Sequence, residues 1–70
     1  MAEKQYSRVR RYGKRCFRYN YENSTLEWID KGNVVVDFIG LSSTHWEESP
    51  QSWIEEYSRQ IDEELRWLMR

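Results

Sequence analysis

Arg15-Cys16-Phe17-Arg18-Tyr19-Asn20-Tyr21-Glu22-Asn23-Ser24-Thr25-Leu26-Glu27-Trp28-Ile29 is the stretch that decides the fold. From Arg15 to Glu22 the side chains alternate. Phe17, Tyr19 and Tyr21 share one face, and Cys16, Arg18, Asn20 and Glu22 the other, which is the period of a half-buried strand. After Asn23-Ser24 the alternation resumes, with Leu26 and Trp28 on one face and Thr25, Glu27 and Ile29 on the other. A two-residue turn sets Tyr21 opposite Leu26 and Tyr19 opposite Trp28, so that the aromatic faces coincide. A slip of one residue would put one strand's apolar set on the wrong side, so this agreement independently supports a hairpin.

Downstream, Asp30-Lys31-Gly32-Asn33 reads as a second turn and Val34–Leu41 as a third strand rich in β-branched residues. Asp37 argues that Val35, Asp37 and Ile39 point outward and Val34, Val36 and Phe38 inward. A three-residue loop, Lys31 to Asn33, then sets Trp28 against Val36 and Leu26 against Phe38. Residues 42–49 are polar and read as a loop, ending in Ser49 as helix N-cap with Pro50 in the first helical position. The helix runs to about Met69. Its stripe of Ile54, Tyr57, Ile61, Leu65 and Leu68 covers the inner sheet face, and Glu55–Arg59 and Asp62–Arg66 are spaced for ion pairs. Trp67 falls on a flank with Trp53, Gln60 and Glu64, partly exposed.

The expected fold is therefore α+β: a three-stranded antiparallel β-meander with a C-terminal α-helix packed on one face. Residues 1–13 form a basic N-terminal arm or short helix, and residues 14–70 a single small βββα domain. As a helix, the first stretch would line up Lys4, Arg8, Arg11 and Arg15; as a strand it is not usefully amphipathic.

Charge is sorted along the chain. Residues 1–18 hold seven basic side chains against one acid, and residues 19–70 four bases against eleven acids, within a formal net charge of −1. Such asymmetry marks an arm seeking a polyanion, or two oppositely charged parts that pair within the fold or between copies. The chain has 70 residues, and its eleven aromatics, four of them Trp, supply core area that its modest aliphatic content does not. No apolar run approaches the roughly 20 residues of a membrane helix. The start lacks the apolar stretch of a signal peptide and Cys16 stands alone, so a soluble domain in the reducing cytoplasm is the expectation.

Catalysis needs a nucleophile or an acid/base pair with a group to orient it, and the chain offers one Cys and one His, 29 positions apart. Cys16 reads as a small apolar filler. His45 beside Glu47 and Glu48 matches no recognised zinc spacing, and the three glycines make no phosphate loop. The expectation is a non-enzymatic protein without cofactor, metal, membrane or small-molecule substrate.

A protein contact, including self-association, is the first functional expectation. Its candidate residues are the outer trio Ile29, Val35 and Ile39 with Trp46, Trp53 and Trp67, because exposed apolar patches and Trp mark interfaces. The alternative is nucleic acid. Arg8, Arg10, Arg11, Lys14, Arg15 and Arg18, interleaved with aromatics including Tyr12, would meet phosphates while rings stack on bases. Three strands and a helix is also the plan of small sheet-type DNA-binding domains. The outer face predicted here (Asn20, Glu22, Thr25, Glu27, Val35, Asp37, Ile39) is not basic, however, so the arm must carry that reading.

Overall fold

Four antiparallel strands, joined in chain order, make one sheet in a computed structural model that describes residues 5–69. They are β1 (Arg10–Tyr12), β2 (Arg15–Asn20), β3 (Thr25–Asp30) and β4 (Asn33–Phe38), followed by helices α1 (Ser43–Glu48) and α2 (Pro50–Leu68). The class is the expected α+β, but the meander has four strands, not three. The additional strand, β1, lies within the stretch expected to be an arm or helix. It pairs Arg10 with Phe17 and Tyr12 with Arg15 across a turn in which Gly13 takes a φ of 63°. Upstream, Tyr6 bridges Asn20, and hydrogen bonds of 2.8 Å run from the Ser7 N–H to the Tyr19 carbonyl and from the Tyr21 N–H to the Gln5 carbonyl. The chain thus follows one edge of β2 from Gln5 to Tyr12. Lys4, part of the proposed helical face, lies outside the described residues.

The β2–β3 faces are as expected, but their register is shifted by two. Tyr19 pairs with Leu26 and Phe17 with Trp28. The loop is four residues, 21–24, because the Asn20 side chain organises it: its Oδ1 accepts from the backbone N–H groups of Glu22 (2.9 Å) and Asn23 (3.1 Å). A shift of two keeps every side chain on its face. Between β3 and β4, Trp28 meets Val36 and Leu26 meets Phe38 as expected. The loop, however, is Lys31-Gly32 alone, with φ of 52° and 80°, the positive values of a type I′ hairpin turn. A bulge makes up the difference: Ile29 pairs with Val34 and Trp28 with Val36, leaving Val35 as the extra residue, so Val34 shares the outer face with Ile29 and Cys16 and not the inner face expected of it.

The core joins Phe17, Tyr19 and Leu26 of the sheet to Leu41, Trp46, Ile54 and Ile61. Residues 42–49, expected as a loop, contain α1, whose N-cap Ser42 accepts from the His45 N–H. This short helix carries Trp46 into the core. There its ring stacks on Tyr19 at 5.5 Å, and the Tyr19 hydroxyl donates to the Leu41 carbonyl. Such large buried side chains each contribute roughly 1.5–3 kcal/mol, a large share for so short a chain.

Helix α2 crosses the sheet on a diagonal. About two turns in, Tyr57 stacks on Phe38 of β4 at 4.5 Å. At the next residue and one turn beyond it, Arg15 of β2 donates to the Ser58 hydroxyl (2.8 Å) and the Asp62 carboxylate (2.7 Å). Leu65 then lines a groove with Tyr12, Gly13, Lys14 and Trp28, beside the β1–β2 turn. Only Ile54, Ser58 and Ile61 of α2 are buried; Leu65 and Leu68, expected to cover the sheet, are exposed because the helix outruns it. The expected ion pairs also change. Arg59 binds Glu56 and Glu63 rather than Glu55, and Asp62 pairs with Arg15.

Candidate interaction surface

The diagonal decides which apolar residues stay bare. At the Phe38 end α2 covers β4, and at the opposite end it has moved over β2 and the β1–β2 turn. The first half of β4 is therefore uncovered on the helix side, where Val36 keeps 37% of its surface; Val34, on the opposite face, keeps 46%, and Val35, at the bulge, 48%. Val36 is paired with Trp28, and Trp28 shares its groove with Leu65. Val36, Trp28 and Leu65 thus mark the corner at the end of the sheet where α2 runs on, with the Arg15–Asp62 pair beside Trp28. Past that corner the last turn of α2 projects with Trp67 75% and Leu68 71% exposed, and Met69 beyond it.

Of the residues expected at a protein interface, the structure brings few together. Trp46, at 2% exposure, is a core residue and not a contact residue: α1 turns it inward onto Tyr19. Trp53 is half-buried as a wedge between the helices, its indole N–H donating to the His45 carbonyl at 3.0 Å. Ile29 is half-buried between Cys16 and Val34. Val35 stands at the bulge, while Ile39, 81% exposed, lies beyond the far end of β4. Trp67 is the expected residue that belongs to the bare end. Val34, Val36, Leu65 and Leu68 were missed as surface residues. Their signal is one of length: a 19-residue helix spans about 28 Å, whereas six-residue strands span about 20 Å.

The basic side chains divide into those the fold uses and those it leaves outside. Arg15 is braced by Ser58 and Asp62 and lies over the Trp28 ring at 5.0 Å. Its guanidinium is the first cause of the lowered Asp62 pKa. Arg18 lies over the Tyr6 ring at 3.8 Å and donates to the nearly buried Glu27 at 2.8 Å, and Asn20 reaches the same carboxylate at 3.3 Å. Arg10 sits over Trp46 at 6.0 Å, in a groove with Tyr6, Arg8, Tyr21 and Glu47. There burial first, and Glu47 second, push the Tyr21 phenol upward. Arg8, Arg11 and Lys14 are exposed, as is Tyr12, and among the described residues none of these three bases forms an ion pair.

The remaining chemistry is dispersed. Cys16 is a free, half-buried thiol on the outer face of β2, and His45 lies in α1 on the other side of the sheet. Among the described residues no three His, Cys, Asp or Glu side chains are placed to hold a metal ion, and no helix is long and apolar enough to cross a membrane. Comparison of the chain with protein-family models, with curated proteins and with solved structures returns no match.

Proposed function

We propose that this chain is a small non-catalytic protein-binding module of the reducing cytoplasm, and that it binds through the apolar end formed by the β4 corner and the last turn of α2. The observation that carries this reading is the part-exposed corner of Val36 and Leu65 around a half-buried Trp28, beside an exposed Trp67 and Leu68. A contiguous apolar surface with an aromatic at its rim is the kind that partners cover. The scattered positions of Cys16 and His45 support binding over catalysis.

The test is a paired capture. The chain and its Leu68→Glu variant, immobilised in equal amounts with matching circular dichroism, are each challenged with cell extract and with the free chain. Species held by the wild type and released by the variant support the reading; identical sets on both overturn it.

A second reading, nucleic-acid binding, rests on exposed Arg8, Arg11 and Lys14 along the β1 edge. It is narrower than the sequence suggests, since Arg15 and Arg18 are already engaged within the fold. Deleting residues 1–13 would remove β1, so charge reversal is the cleaner probe. Oligonucleotide affinity should fall with a log–log salt slope of about −3 for three phosphate contacts and vanish in the Arg8→Glu, Arg11→Glu, Lys14→Glu triple variant. No retention at low salt ends this reading.

A further inference from the structure

The bare end of the molecule has two parts of different shape: a flat corner, where α2 has moved off β4, and a projecting knob, where α2 runs past the sheet. Both are apolar and both lie at the same end. We infer that the occupant of this surface is a second copy of the chain, related by a twofold axis that seats the Leu68 turn of each copy on the Val36 corner of the other. This rests on the protein-binding reading above and adds the identity of the partner.

Shape comes first. One molecule carries both the projecting element and the surface that would receive it, so a twofold contact buries both sets at once and closes on itself, leaving no free copy of either. A partner of a different kind would have to supply a knob for the corner and a cover for the knob.

Area comes second. A standard interface removes about 800 Å² from each partner. Val36, Leu65, Trp67, Leu68 and Met69, which keep between 37% and 85% of their surface, supply much of that area at one end of the chain.

The alternative contact between copies, pairing of β4 edges into a continuous sheet, is opposed by the structure. The bulge at Val35 breaks the regular spacing of backbone groups that such pairing needs, which is one of the ways sheet edges resist it. Register then adds a charge problem, because pairing centred on Asp37 would set two carboxylates face to face. The corner, a side-chain surface, is unaffected by either.

The experiment uses the full chain in a Cys16→Ser background. One preparation carries Leu68→Cys and another Val36→Cys, so neither can form a disulfide within one molecule. Under mild oxidation, mixing the two should give a mixed disulfide dimer several-fold in excess of either homodimer, because the contact joins position 68 of one copy to position 36 of the other. Homodimers in excess, or no disulfide, overturn the arrangement. Sedimentation equilibrium of the wild type should show a monomer–dimer equilibrium that Leu68→Glu shifts to monomer with unchanged circular dichroism. Leu68 is exposed, so its substitution leaves the fold intact.

A wild type that stays monomeric at the highest soluble concentration overturns the second copy. If that monomer still holds another protein through Leu68, the binding reading survives alone. If capture is indifferent to Leu68, the binding reading fails as well.

Discussion

The two edges of this sheet are built on opposite plans. Along β1 the inner face carries Arg10 and Tyr12, with Arg11 on the other face and Lys14 in the turn, and the adjoining end of β2 is tied to α2 through Arg15. Along β4 stand three successive valines with one acid, Asp37. An edge lined with charge is poor at pairing with another chain, and the β1 edge has that protection in full. The β4 edge has only its bulge and Asp37, and the side-chain surface behind it is bare. Helix placement explains the difference. The Arg15 clamp draws α2 toward β1 and β2, and whatever that side gains in cover the valine corner loses.

Substitutions can break this contrast, starting with the largest effect. Trp46→Ala, on the covered side, should cost about 3–5 kcal/mol in urea denaturation, since it empties the site that Tyr19 stacks on. In a chain this small, that would leave little native population. Val36→Ala, on the bare side, should cost about 1 kcal/mol, because over a third of the residue is already in water. Similar losses at the two positions would show that the corner is covered in the monomer.

Arg15→Leu tests the clamp itself. It should cost about 1 kcal/mol near neutral pH through the lost bond to the buried Ser58 hydroxyl, and it should loosen the second half of α2 in hydrogen exchange. The sign of its pH dependence follows from Asp62, whose carboxyl is held below its usual value by Arg15. A depressed carboxylate adds stability above its unfolded pKa, about 3.9, and that stability is lost as pH falls through the folded value. The gap between wild type and Arg15→Leu should therefore narrow below about pH 4. A gap that holds constant from pH 6 to pH 3 would show that the ion pair contributes nothing.

The smallest effect is at the β3–β4 turn. Lys31 occupies the left-handed region, where Asn is more comfortable, so Lys31→Asn should raise stability by about 0.5 kcal/mol in the same denaturation assay.

The parts of this fold that were legible in the sequence are those where side-chain alternation meets a buried face. Phe17, Tyr19, Leu26 and Trp28 shared an inner face in any even register, and Pro50 marked the start of α2. β1 was hidden because its inner-facing side chains are Arg10 and Tyr12. They do their packing through the cation face of Arg10 on Trp46 and the flank of α2, so no apolar period appears. α1 is six residues long, too short for periodicity to speak, and its one core residue, Trp46, looked like a surface aromatic in a polar loop. The β2–β3 loop length depended on Asn20 turning its side chain back to the backbone, which composition does not reveal. At the candidate surface, Trp67 was legible as an exposed flank residue. The corner was not, since it depends on the crossing angle of α2, a property of packing between elements distant in the chain.

Strands that pair only with their neighbours in sequence also set the order of assembly. Each hairpin closes over a few residues, whereas the clamp from Arg15 to Ser58 and Asp62 spans 43 and 47 residues. Short closures are entropically cheap and form early, so we expect millisecond or faster refolding in which the β2–β3 hairpin leads and α2 docks last. Asn20→Ala, which removes contacts made within the β2–β3 hairpin, should then mainly slow folding and Ile61→Val mainly speed unfolding in stopped-flow measurements, and the reverse assignment would sink this order. Until α2 arrives, the inner face of the sheet is open to any apolar surface nearby, and the face that closes last is also the one that never closes completely.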